Sequence, residues 1–263
     1  MKIAQMTALV TGATGGIGQA IARDLAEHGA SVVLTGRRAD VLEPLAVELG
    51  GRAIVADLTD RAAAAALMDE CGPVDILVAN AGLPASGSLV DYPLDALDRA
   101  LDVNLRAPMV LARLAAEEMV SRRRGHLVFV SSVGGKIAAG GASVYNATKF
   151  GLRGFSLALR EDLRPHGVGV SGVYPGFVRD AGMFADANVT LPRGIGTLTA
   201  RDVARAVSRA VERDLGEVDV ASLPLRLGAR FAGVAPGLSA RIQRLGGGER
   251  FARDLADGQR DKR

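Results

Sequence analysis

Six short runs of apolar and β-branched residues, each separated from the next by a stretch of helical character, constrain this chain more than any other feature. They are Thr7–Thr11, Ser31–Thr35, Ala53–Ala56, Asp75–Ala79, His126–Val130 and Val168–Tyr174. Runs so nearly continuous in apolar residues suit strands buried on both faces, the condition of a parallel sheet covered by helices. The intervening helical stretches are Ile17–His28, Ala39–Leu49, Arg61–Glu70, Ala107–Arg122, Val144–Leu163 and Ala200–Arg213, with Gly29, Gly50 and Pro165 as stops. Strict alternation of the two patterns predicts an α/β fold with a doubly wound parallel sheet and right-handed crossovers.

The chain has 263 residues and no Pro/Gly/Ser-rich linker in its middle, which predicts one large domain. With 48% hydrophobic and 23% charged residues it has the composition of a globular protein with a sizeable core. Cys71 is its only cysteine, so an intrachain disulfide and a cysteine zinc cluster are excluded, no metal is expected, and a reducing cytoplasm is the expected location. No run of eighteen apolar residues occurs, and the apolar stretch Thr7–Val10 is too short for a signal peptide. The net charge of +3 is unevenly spread: residues 224–263 hold nine Lys/Arg against four Asp/Glu, a net +5, which leaves the body at −2. A slightly acidic body without tryptophan and with 4% aromatics does not resemble a nucleic-acid binder.

In a doubly wound sheet ligands bind at the carboxyl ends of the strands. The loops leaving those ends are Thr11–Gly18, Asn80–Gly82, Ser131–Ser132 and Pro175–Gly176. The first has glycines at 12, 16 and 18, a Gly-x-x-x-Gly-x-Gly spacing between strand and helix. Missing side chains there let a pyrophosphate reach backbone N–H groups at the helix N-terminus.

Tyr145 and Lys149 stand four residues apart, on one face of a helix. The chain has four lysines against 28 arginines and only three tyrosines, so the pairing is not a product of abundance. A phenol with a pKa of about 10 needs roughly 4 kcal/mol of phenolate stabilisation to titrate near 7. An ammonium about 4 Å away contributes on the order of 4 kcal/mol at an effective dielectric of about 20, enough to tune the tyrosine into a general acid or base. The alternative is an exposed i,i+4 contact on an amphipathic helix.

Taken in order, Thr11-Gly12-x3-Gly16-x-Gly18, Asp57-Leu58, Asn80-Ala81-Gly82, Asn104, Ser132, Tyr145-x3-Lys149 and Pro175-Gly176 resemble the motifs of the classical short-chain dehydrogenase/reductase family. The match spans about the first 180 residues, and an ordered series is far more specific than any one motif. The resemblance implies a single Rossmann-type sheet of about seven strands, the last near Val218–Val220, and a nicotinamide cofactor. It implies a catalytic group of Asn104, Ser132, Tyr145 and Lys149. Tyr145 would exchange a proton with the substrate oxygen, Lys149 would lower its pKa and hold the nicotinamide ribose, Ser132 would orient the carbonyl, and Asn104 would anchor a water leading from Lys149. Cofactor binding is carried to Gly12, Thr14, Gly15, Gly16, Ile17, Gly18, Asp57, Leu58, Asn80, Ala81, Gly82, Tyr145, Lys149, Pro175, Gly176 and Val178. For Asp57, capping of the following helix is a competing role.

At the end of the second strand a carboxylate would bond a ribose 2′-OH and an arginine a 2′-phosphate. Gly36 stands where NAD-dependent relatives hold Asp, and Arg37 and Arg38 follow, so NADP(H) is favoured over NAD(H). Asp180 departs from the family pattern, which has Thr there to contact the nicotinamide carboxamide.

The segments expected to face substrate, 82–89, 133–142 and 177–198, are small or apolar, with Ile137, Ala138, Ala139, Phe177, Met183 and Phe184 prominent. They favour a neutral, partly apolar ketone or secondary alcohol. The expected function is an NADPH-linked carbonyl reductase or alcohol dehydrogenase, the alternative a cofactor-binding protein without turnover. Residues 1–222 are expected to form the catalytic and dinucleotide-binding domain and 223–263 a basic amphipathic extension of it. In that extension Leu227, Phe231, Val234, Leu238, Ile242 and Leu245 recur at three- and four-residue intervals, split by Pro236-Gly237 into two helices. Packing over the active-site mouth or against another subunit of a homodimer or homotetramer is the favoured role, contact with an anionic membrane the other. Residues 246–263 are expected to be frayed and solvated.

Overall fold

A computed structural model describes residues 1–187, 189, 191, 195–245 and 248–259, with only the backbone of 248–250. Seven strands, β1 Thr7–Thr11, β2 Ser31–Gly36, β3 Arg52–Val55, β4 Ile76–Ala79, β5 Gly125–Val130, β6 Val168–Pro175 and β7 Glu217–Val220, form one sheet of order β3-β2-β1-β4-β5-β6-β7. Every pairing is parallel, with Leu9 opposite Val33 on one side of β1 and opposite Leu77 on the other. The Rossmann-type doubly wound sheet read from the sequence is therefore present. Successive residues of a strand point to opposite faces. Val10, Leu34, Val78 and Val173 thus pack with Ile21, Leu25, Leu42, Val203 and Val207 on one face. Leu9, Leu77, Leu127 and Phe129 pack with Leu67, Leu111, Met119 and Leu152 on the other.

The helices are α1 Gly16–Glu27, α2 Ala39–Leu49, α3 Ala63–Cys71, α4 Leu94–Leu101, α5 Ala107–Ser121, α6 Ser143–Leu163, α7 Gly182–Ala187, α8 Ala200–Arg213, α9 Leu223–Val234, α10 Pro236–Leu245 and α11 Gly248–Gly258. α2 ends at Gly50, whose left-handed backbone (φ +61°) suits glycine. α8 begins in a capping box in which Thr199 and Asp202 satisfy each other's backbone N–H groups. A π turn, Asp102–Arg106, joins α4 to α5.

The tail departs from expectation. Residues 248–258 are helical rather than frayed, because Phe251 stacks edge-on against Phe177 at 5.5 Å and the Gln259 amide donates to the Met183 carbonyl at 3.2 Å. Gly246, Gly247 and 260–263, which share that expectation, lie outside the described residues, as do 188, 190 and 192–194 of the expected substrate segment. Cys71 is buried in the last turn of α3, and burial pushes its thiol up to about 11, so it packs as a small apolar residue. Among the described residues no helix is long and apolar enough to cross a membrane.

Candidate active site

β1 and β4 are neighbours in space, but the chain leaves them toward opposite edges of the sheet, and that divergence opens a crevice at their carboxyl ends. A cavity of about 1180 Å³ occupies it. Its walls hold every residue expected to bind cofactor, together with Ser132, Tyr145 and Lys149.

The glycine loop folds as its spacing requires. Gly12 has φ +66°, and a Cβ on it would stand 2.8 Å from the Ala81 Cα, so a side chain there would break the contact between the two loops. That contact is fastened by the buried Thr11 hydroxyl, which accepts from the N–H groups of Asn80 and Ala81, both at 3.0 Å. The Asn80 amide donates back to the Thr11 carbonyl at 3.0 Å. Gly15 is the N-cap of α1 and offers no side-chain cap, so the first-turn N–H groups of Gly16, Ile17 and Gly18 are available to an anion. Nearby, the buried Thr35 hydroxyl lines the same cavity and has no hydrogen-bond partner among the described residues. This uncapped helix end and orphaned hydroxyl fit a dinucleotide.

At the end of β2, a Cβ on Gly36 would lie 2.8 Å from the Thr14 methyl, so no carboxylate fits there without displacing that side chain. Arg38 reaches back over the glycine loop, donating to the Thr14 carbonyl at 2.5 Å. Arg37 is exposed and makes no hydrogen bond or ion pair among the described residues. Leu58 is buried, while the exposed Asp57 carboxylate accepts from the N–H (3.0 Å) and hydroxyl (2.9 Å) of Thr59. Asp57 does not cap α3, whose N-cap is Ala62 without a side-chain bond; Asp60 accepts from the Ala62 N–H at 2.9 Å in the turn before it.

Ser132, two residues past the end of β5, caps a short 3₁₀ turn, Val133–Gly135, accepting from the Gly134 N–H at 3.0 Å. This turn presses on α6: a Cβ on Gly135 would sit 2.6 Å from the Lys149 carbonyl oxygen, and one on Gly134 3.1 Å from the Tyr145 ring. Asn146 fastens the contact, its amide donating to the carbonyls of Gly134 (2.6 Å) and Ile137 (3.1 Å) while its oxygen accepts from Ala139 at 3.0 Å. Ser131 faces the backbone, donating to the Lys149 carbonyl at 3.3 Å. Gly134, Gly135 and Asn146 were not among the site residues read from the sequence. The glycine pair after Ser131-Ser132 and the buried amide beside Tyr145 were the signals.

Tyr145 is half-buried, with its phenol in contact with the Ser132 side chain. Lys149 is 3% exposed; its ammonium lies 5.8 Å from the centre of the Tyr145 ring and donates to the Val130 carbonyl at 3.3 Å. Burial dominates both groups. It raises the phenol's pKa, with the Ser132 contact opposing, and lowers the ammonium's to about 8. The depressed phenol expected from a lysine about 4 Å away is not found in this arrangement.

Asn104 is fully buried just behind the cavity, in the π turn. Its side-chain oxygen accepts from the Leu83 N–H at 2.6 Å and its amide donates to the Leu83 carbonyl at 2.9 Å. The side chain therefore shapes the loop after β4 rather than facing the cavity.

At the open end, Ile137, Ala139, Phe177, Met183 and Phe184 line the wall, and Ala138 does not. Leu225, Phe231, Ile242, Phe251 and Leu255 of α9, α10 and α11 complete it. The Asp180 carboxylate accepts from the Ala200 N–H at 2.9 Å, which holds it at the start of α8 and accounts for the departure at that position.

A family model described as short chain dehydrogenase matches residues 6–192. Ketoacyl reductase HetN of a Nostoc species is 36% identical over 228 residues, 83% of this chain and 79% of that protein. A short-chain dehydrogenase from Sphingobium yanoikuyae in complex with NADPH has a TM-score of 0.77 at 29% identity, covering 89% of this chain and 93% of the other. A variant of actinorhodin polyketide ketoreductase with NADPH has a TM-score of 0.74 at 28% identity, covering 82% and 95%.

Proposed function

Because this chain belongs to the short-chain dehydrogenase/reductase family of NAD(P)-dependent oxidoreductases, we propose that it is an NADPH-linked reductase of a neutral, partly apolar ketone. The observation that carries this reading is the Tyr145–Ser132 contact at the floor of a cavity whose outer wall is apolar. A bound nicotinamide supplies the hydride. Tyr145 supplies the proton: its phenol, whose pKa burial raises, is protonated at neutral pH and lies beside Ser132, where it can donate to an oxygen that gains charge. Ser132 orients the carbonyl beside it. Lys149 holds the ribose hydroxyls and keeps a positive charge near the phenol below pH about 8. In the π turn the backbone carbonyl of Asn104, its side chain committed to Leu83, is the group to hold a water behind Lys149.

For the cofactor, the unpaired Arg37 beside a side-chain-free Gly36 supports a 2′-phosphate. The NADPH complexes among the structural relatives point the same way. For the substrate, the apolar lining from Ile137 to Leu255 carries no charged cluster among the described residues, and two relatives bear the names ketoacyl reductase and polyketide ketoreductase. On this reading residues 1–222 are the catalytic unit and 223–263 an extension that walls its substrate end.

Absorbance at 340 nm with a panel of ketones and either cofactor tests the proposal. NADPH is expected to be used more efficiently than NADH, and Tyr145→Phe to lower kcat by about 10²–10⁴-fold while cofactor binding persists. NADPH binding without turnover of any ketone would instead support a binding protein.

A further inference from the structure

The extension has a second face. α9 and α10 turn Leu225, Ala229, Ala232 and Ser239 inward, and a helix with one buried face ordinarily presents polar residues on the other. Here the outer side carries Leu223, Leu227, Phe231 and Val234 on α9, then Leu238, Ile242 and Leu245 on α10, each set at three- and four-residue spacing. These seven are nearly half of the fifteen exposed large apolar side chains among the described residues, within 23 residues of sequence. Val234 and Leu245 are 86% and 82% exposed. Arg226, Arg230, Arg241 and Arg244 flank them, all exposed and none in an ion pair among the described residues. From Val220 to Gly248 the sequence contains no carboxylate at all.

We propose that the α9–α10 hairpin is a docking surface for an anionic lipid bilayer, into whose interface the apolar stripe inserts while the four arginines meet lipid phosphates. A cationic amphipathic segment without acidic residues is the complement of that surface, since neither apolar contact nor charge alone holds a short helix there firmly. The stripe is continuous with the cavity: Phe231 and Ile242 belong to both. Docking therefore sets the substrate mouth against the bilayer, and an apolar ketone, the substrate class inferred above, enters from the lipid without crossing water.

Sedimentation with vesicles of phosphatidylglycerol and phosphatidylcholine, against phosphatidylcholine alone, tests this on the full chain. Binding to the anionic vesicles at low salt is expected, at least about tenfold weaker on neutral vesicles or in ~0.5 M salt, where screening shortens the reach of the arginines. Leu227→Glu with Val234→Glu, and separately Arg230→Glu with Arg241→Glu, should each lower binding about tenfold with an unchanged melting temperature, since all four side chains are exposed. Tyr145→Phe should bind as wild type does, so loss of the catalytic reading leaves this result standing. Wild type remaining in the supernatant with anionic vesicles overturns the proposal. So does a Leu227/Val234 variant that alters oligomeric mass in light scattering yet leaves vesicle binding intact, because the stripe would then join copies of this chain.

Discussion

Replacing Lys149 with methionine should make the folded protein more stable while disabling its proposed chemistry. Lys149 is 3% exposed, and burial lowers its pKa from 10.5 to about 8. Lowering by about 2.5 units opposes the charged form by roughly 3 kcal/mol. The sign follows from proton binding. Between pH 8 and 10.5 the unfolded chain holds a proton at this site that the folded chain has released, so stability rises with pH across that window and the whole penalty is present below it. Methionine keeps the length of the stem without the charge, but it strands the Val130 carbonyl that Lys149 now bonds, at a cost of about 1 kcal/mol. The net gain at pH 7 is about 2 kcal/mol, or a melting temperature higher by roughly 4–8 °C in a domain of this size. Calorimetry on cofactor-free wild type and Lys149→Met from pH 7 to 10.5 reads the difference between them, which cancels the other titrating groups. The gain should shrink steadily as pH rises above 8, cross zero at roughly pH 9.8, and become a loss of up to about 1 kcal/mol beyond 10.5, where only the stranded Val130 carbonyl is left. A difference independent of pH, or a variant less stable at pH 7, would refute the reasoning.

Gly135→Ala should lower kcat sharply, because its Cβ would stand 2.6 Å from the Lys149 carbonyl and must push Ser132 away from Tyr145; a melting temperature lowered by the equivalent of about 1–3 kcal/mol should accompany it. Arg37→Ala should raise the KM for NADPH about tenfold or more and leave that for NADH unchanged, in steady-state rates with each cofactor. His126, buried and bonded to the Ser171 hydroxyl at 2.7 Å, is held neutral by burial with its pKa lowered to about 4. The unfolded chain therefore takes up a proton first, and stability should fall by up to about 3 kcal/mol as pH drops from 6.5 to 4, a slope that urea titrations of His126→Gln should lack.

The strands were legible because burial on both faces leaves an apolar run that nothing else in a soluble chain requires. β1 is bounded as read, Thr7–Thr11, and so are α2 and α8. α4 was not read from the sequence: it has eight residues, begins after Pro93, exposes Leu94 at 80%, and turns the small side chains of Ala96 and Ala100 into the core. The π turn at Asn104 has no signature in residue order, since it is a change of hydrogen-bond register and not of composition. α11 escaped because its arginines and aspartates read as solvated, while Phe251 finds its partner, Phe177, 74 residues earlier in the chain. At the site, the Tyr145–Lys149 spacing was readable because a helix fixes it. The direction of their proton affinities was not, because that depends on how deeply the surrounding fold buries them.

The segment between Phe177 and Leu198 leaves the catalytic floor and returns to it through a narrow neck. Arg179 donates to the Leu198 carbonyl at 2.9 Å, Leu198 donates to that of Phe177 at 2.9 Å, and Asp180 secures the first residue of α8. A loop closed at its base in this way is a cassette: its two ends are tied to each other, so its length is set independently of the frame that carries Ser132, Tyr145 and Lys149. On the proposed function, exchanging residues 182–197 for segments of other length and composition, with the neck kept as the graft point, would change which ketone is admitted. Selection for new substrates could then work on one contiguous stretch of gene without dismantling the proposed proton-transfer groups.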